Sequence, residues 1–283
     1  MIFDVTMPLA LAVVTLVSCW LNQKTEDKLK TTLEGKEFKT RDAVLLVAAM
    51  AVMVSSVVLL RDMIAPLMIL FLFSYSTLLF IFTYIFSNKR GYLAVIPPAA
   101  FILLYAFLGT TNVWLYYLMN VYGIIFAILI TLYIGTLFTW KTTLIFAGLL
   151  TVMDIILVLV TGTMIEAVDT LNSLNLPVMV RLPIVPLIMN EAGELVRPGL
   201  GLGDFFFAGL LAIQTYKRYS RKTAIASVIA MAISFGIFEF AMLTYWRRPL
   251  PGTFMIILGW AVVAVSKMLW NRQHKNKENI LPK

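Results

Sequence analysis

Gly199-Leu200-Gly201-Leu202-Gly203-Asp204-Phe205-Phe206-Phe207 sets three glycines on alternate positions directly ahead of an acid and an aromatic run. The stretch opens an apolar segment over 199–216, so Asp204 falls where a membrane-crossing helix is expected. An ionised carboxylate at the centre of a bilayer costs roughly 2.5 kcal/mol or more, which makes an intramembrane acid a functional-site candidate by default. Glycines in such a span let a neighbouring helix or an extended chain come close to the backbone.

The composition around this segment agrees with a membrane setting. The chain has 283 residues, 60% of them hydrophobic and only 13% charged, with a mean hydropathy of +0.89. A soluble globule carries about 25% charged residues. One Cys (Cys19) and one His (His274) exclude an internal disulfide and a zinc or haem site built from those residues. No metal or cofactor is expected. The net charge of +8 would suggest nucleic acid in a soluble protein. Here the basic residues lie in short loops beside apolar spans, so orientation in the membrane is the simpler reading and no nucleic-acid partner is expected.

Apolar runs set against charged interruptions predict an all-α polytopic membrane protein with nine transmembrane helices. The first covers 5–21 and is followed by a charged loop over 22–42. The next cover 43–60, 64–86, 92–108 (interrupted by Pro97-Pro98), 113–138 and 143–161. A less apolar stretch, 162–198, carries Glu166, Asp169, Arg181, Glu191, Glu194 and Arg197 among several prolines. The last three spans are 199–216, 223–246 and 249–270. The chain reads as one membrane domain over 1–283: spans one to five in 1–142, spans six and seven in 143–216, spans eight and nine in 217–270, and a basic tail in 271–283. Nothing basic precedes the first span, so it does not read as a signal peptide, and Leu16-Val17-Ser18-Cys19 does not read as a lipoprotein cleavage site.

With nine spans the termini lie on opposite sides. Eighteen of the 23 Lys and Arg residues then fall on one side and five on the other. Short basic loops remain cytoplasmic, so the amino terminus is expected outside and the carboxyl terminus inside, in a cell membrane.

Three acids fall within spans: Asp154, Asp204 and Glu239. At about 1.5 Å per residue, Asp154 lies roughly 10 Å and Asp204 roughly 8 Å below the same outer face, on consecutive antiparallel helices. Two facing carboxyls share a proton, because like charges so close cannot both ionise. The ionised member can take a proton from water while the protonated one donates to a carbonyl. An acid pair also suits a cation or proton site in a transporter, and the spacing alone leaves both open.

With Gly201-Leu202-Gly203-Asp204 one helix after Asp154, the sequence resembles the presenilin and signal peptide peptidase family of GxGD intramembrane aspartyl proteases, in particular its archaeal-type presenilin homologues. Leu176-Pro177-Val178-Met179-Val180-Arg181-Leu182-Pro183 is similar to the family's apolar segment between the two acids. Pro249-Leu250-Pro251 is similar to its PAL motif at the start of the ninth span. The resemblance implies a presenilin-like fold, with Asp154 and Asp204 as the catalytic pair and no metal. It also implies that Gly201, Leu202, Gly203, Pro249, Leu250 and Pro251 shape the substrate cleft. It further implies hydrolysis of peptide bonds within single-span transmembrane segments or signal peptides, after the substrate helix unwinds. Two positions depart from the pattern: Met153 stands where the family usually has Tyr, and Arg248 where it has Pro.

The charge bias gives the orientation of signal peptide peptidase rather than presenilin, and hence type II substrates. The 162–198 stretch, through Val178-Met179-Val180 or Ile184-Val185, is a candidate edge for pairing with an unwound substrate. Glu239 reads as a structural acid bonding near Tyr245 or Arg247. Trp114, Trp140, Trp246 and Trp270 read as interface anchors. Alternatives remain a prepilin-peptidase-type GxGD protease acting at the cytoplasmic surface, a transporter with an acidic relay, and an inactive relative.

Overall fold

The computed structural model describes residues 4–87, 89–189, 193, 195–246 and 249–278. The predicted contributions of Glu191, Glu194, Arg247 and Arg248, and the side chains of Trp246 and His274, lie outside the described residues. The chain is mostly helical: α1 Thr6–Thr32, α2 Thr40–Leu59, α3 Ile64–Phe86, α4 Gly91–Ala94, α5 Ile96–Leu108, α6 Met119–Leu137, α7 Trp140–Ile155, α8 Thr163–Ser173, α9 Leu202–Arg218, α10 Arg221–Ala241 and α11 Gly252–Glu278. π-helical turns precede α6 (Trp114–Leu118) and follow α7 (Ile156–Val160) and α10 (Met242–Trp246). Among the described residues, eight helices are long and apolar enough to cross a membrane. This is a polytopic membrane protein.

Several predicted boundaries move, each for a local reason. The first helix does not stop at residue 21 but runs through the charged segment to Thr32. Its Glu26 pairs with Lys30 one turn on (2.7 Å) and with Lys217 of α9 (2.9 Å), so the charges decorate a helix rather than end it. Pro97 and Pro98 fall in the first turn of α5, where a missing N–H costs nothing. The sixth span begins at Trp140 rather than 143, where Thr139 and Thr142 close a reciprocal cap. Within 162–198 the chain forms α8 and a strand, β1 (Met179–Arg181).

The bundle is organised around α9. Phe205 to Thr215 are buried without interruption, and the helix packs against α1, α6, α7, α10 and α11. A helix apolar on every face belongs at the centre of a bundle. Close approach is bought by small residues: a Cβ on Gly209 would stand 2.5 Å from Thr131 Cγ2 of α6. Between α10 and α11, a Cβ on Gly259 would stand 2.7 Å from the Ala230 carbonyl carbon. Polar groups inside are bonded across helices. Gln214 donates to the carbonyls of Phe138 (2.8 Å) and Gly135 (3.3 Å), and Trp260 donates to Thr215 Oγ1 (2.8 Å).

The two ends of the bundle differ in character. Lys28 and Lys89 share a surface cleft with Tyr84 at one end, where Lys217 also meets Glu26. At the other end the 174–181 segment is tied to the helices below it. Trp114 is fully buried and donates to the Asn175 carbonyl (2.8 Å), so it is an internal strut and not the interface anchor its position suggested. Trp140 packs against Tyr219 and Trp260, while Trp270 is 57% exposed.

Candidate active site

The site begins with a two-stranded antiparallel pair. β1 pairs with β2 (Gly199–Gly201) in the register Met179↔Gly201, Val180↔Leu200 and Arg181↔Gly199. The strand ends at Gly201, whose extended backbone caps α9. The seventh helix therefore starts at Leu202 and not at residue 199, which puts Asp204 in its first turn. Strand residues advance about 3.3 Å each, so helical counting from 199 understates how far the chain has travelled. The Asp204 carboxyl turns back to the Gly201 backbone N–H, as a third-position acid does in a capping box.

Asp154 reaches the same place from the last turn of α7, 8% exposed. Both acids line one cavity of about 280 Å³, and Asp154 acts electrostatically on Asp204. Of the other predicted site residues, Gly201, Gly203, Pro249 and Leu250 also line it. Leu202 does not: it is buried toward Gly123 of α6. Pro251 is buried and likewise does not line the cavity. Gly203 is exposed, and a Cβ there would meet no protein atom within 4 Å.

Two residues that sequence reasoning passed over complete the constellation. Gly252 opens α11 with its backbone against the Asp204 carboxyl. Thr253 follows, donating its hydroxyl to Asp154 Oδ2 (2.6 Å) and its backbone N–H to the same carboxyl. The signal available was position alone: the two residues directly after Pro249-Leu250-Pro251.

The strand pair is held in place by side chains from the helices, also unforeseen. Asn120 accepts from the Arg181 N–H (2.7 Å) and donates to its carbonyl (2.9 Å), closing the outer edge of β1. Tyr75 donates to the Pro177 carbonyl (3.2 Å) and Tyr105 to that of Leu174 (2.6 Å). An Asn in the fifth span was a readable hint, because an amide buried in an apolar span needs partners. The opposite edge of the pair is different. Leu202 N–H donates to the Val178 carbonyl (3.2 Å), which makes Val178/Leu202 and Val180/Leu200 the hydrogen-bonded pairs. The backbone groups of Gly199 and Gly201 therefore face away from β1, along an edge that no strand among the described residues covers. Both glycines line the cavity that holds the acids.

Glu239 is separate from this site. It lies on α10 beside Asp4, which caps the start of α1 through Thr6 N–H (2.8 Å) and Met7 N–H (3.4 Å). Glu239 is 2% exposed and its Oε2 has no hydrogen-bond partner among the described residues. No group of His, Cys, Asp and Glu able to hold a metal occurs among the described residues. In comparisons with known proteins, no family model and no curated protein matches the chain.

Proposed function

We propose that the protein is an intramembrane aspartyl endopeptidase of the presenilin and signal peptide peptidase type, hydrolysing peptide bonds within transmembrane segments. The observation that carries the reading is the meeting of Asp154 and Asp204, from separate helices, on one mainly apolar cavity beside a strand edge that no strand among the described residues covers. Two carboxyls in such a place share one proton, so one activates water as the other protonates the scissile carbonyl.

A helical peptide bond is shielded by its neighbours and must be unwound before water can reach it, and inside a bilayer the freed backbone needs new partners. The Gly199 backbone offers such partners by strand addition next to the acids, while the Gly201 N–H already meets the Asp204 carboxyl. In the proposed topology α9, although only 17 residues long and about 25 Å in rise, completes nine passes. The amino terminus is then outside, the basic ends of α1 and α9 are cytoplasmic, the chain sits in the cell membrane, and type II transmembrane segments or signal peptides are the substrates.

The test is cleavage of type I and type II transmembrane reporters in liposomes by wild type, Asp154→Ala and Asp204→Ala, with products mapped by mass spectrometry. Cuts inside a type II span, absent with either variant, support the reading. A cut just outside the span at the cytoplasmic surface points to leader-peptide processing instead. No cleavage by well-folded wild type sinks the protease.

A further inference from the structure

The two acids occupy unequal surroundings. Thr253 is 5% exposed at the second position of α11 and gives Asp154 two donors, its hydroxyl at 2.6 Å and its backbone N–H. That O–H···O distance is typical of a charged acceptor. The N–H can only donate, and an ionised carboxylate only accepts. Thr131, Thr136, Thr151 and Thr215, also buried in the bundle, give their hydroxyls to the carbonyl one turn back. Thr253 has no helical carbonyl behind it, and its hydroxyl turns to the acid. Asp204, by contrast, meets the Gly201 N–H and the Gly252 backbone, with no side-chain donor among the described residues. Apart from the two acids, no titratable side chain among the described residues lines the cavity: α2 supplies Met50 and Val54, α8 Ile165 and Val168, and β1 Met179.

Resting on the protease reading, we infer that Thr253 is a positioning residue that assigns the two roles: Asp154 is the resting carboxylate and general base, and Asp204 holds the shared proton as general acid. Asp154 takes a proton from water as the water oxygen bonds the scissile carbonyl carbon, and Asp204 gives its proton to the carbonyl oxygen. Asp154 delivers its proton to the nitrogen of the resulting gem-diol as the C–N bond breaks, and Asp204 recovers one from a diol hydroxyl. The products are a carboxylic acid and an amine, and the pair returns to its starting state.

The experiment measures kcat and KM across pH for wild type, Thr253→Val and Thr253→Ser in liposomes, with one type II transmembrane peptide that wild type cleaves. Valine is expected to lower kcat about tenfold or more with KM little changed, and to move the acid limb of the pH profile up by about one unit. Serine is expected to restore both. A valine variant that loses rate with an unmoved pH profile, or a serine variant that fails to restore it, overturns the assignment while leaving the protease intact. No cleavage by wild type overturns the protease reading and this assignment with it. Infrared spectra of folded protein at neutral pH supply a second readout without turnover. The protonated-carboxyl band assigned to the pair is expected to persist in Asp154→Asn and to vanish in Asp204→Asn, and any other pattern overturns the assignment.

Discussion

The backbone of Gly252 lies so close to Asp204 that a Cβ on it would stand 2.6 Å from the carboxyl carbon. The start of α11 is thereby docked onto α9 at the acid itself, while its next residue holds Asp154. Any side chain at 252 must displace the carboxyl or push α11 away. Gly252→Ala is expected to lose at least about tenfold in cleavage rate and about 1–3 kcal/mol in stability. Reporter cleavage together with thermal unfolding in detergent checks both; an alanine variant with wild-type kcat would mean that the contact has no part in the chemistry.

Asn120 is the latch on the other side of the strand pair. It satisfies both backbone groups of Arg181, and without it they face a part-buried setting unpaired. Asn120→Ala is expected to cost about 1–3 kcal/mol and to slow cleavage, because β1 supports the edge that a substrate strand would use. Hydrogen exchange localises the effect: amides of 179–181 should exchange faster while those of 205–215 keep their protection. Uniform loss of protection would instead mark Asn120 as a general packing residue.

Much of this arrangement was readable because membranes simplify the code. Long apolar runs announce helices with little ambiguity, and an acid such as Asp154 or Asp204 inside one stands out against its cost. Features carried by ordinary residues were silent. The continuation of α1 through Lys24, Glu26, Lys28 and Lys30 was missed because those side chains favour helix as well as they favour water. β2 is three residues long, and no alternation can be seen in Gly-Leu-Gly. Trp114 sits at a helix end, where an aromatic suggests an interface, yet the chain folds the 174–181 segment over it. Thr253 became visible only when α11 was placed against α7.

Glu239 offers a control acid. It is as buried as Asp154 but faces Asp4, does not line the cavity that holds the two acids, and leaves one oxygen without a partner among the described residues. Glu239→Gln keeps the shape of the side chain and is expected to cleave reporters within about twofold of wild type, with stability within about 1 kcal/mol of it. A loss of activity as large as that of Asp204→Ala would place Glu239 in the reaction and undo its structural reading.

Gly203 separates a glycine needed by the fold from one needed by a substrate. Gly209 and Gly259 are pressed against neighbouring helices, so their replacement must disturb packing. Gly203 meets nothing within 4 Å, yet it lines the cavity next to Asp204. It sits in the first turn of α9 with an ordinary backbone conformation, where alanine is the better helix former by up to about 1 kcal/mol. Gly203→Ala is therefore expected to fold with unchanged or slightly raised stability while its methyl stands where a scissile strand would lie. Cleavage should fall about tenfold or more, chiefly for substrates with bulky residues at the cut. If the alanine variant cleaves such substrates at the wild-type rate, the open space at Gly203 is not where the peptide bond is held.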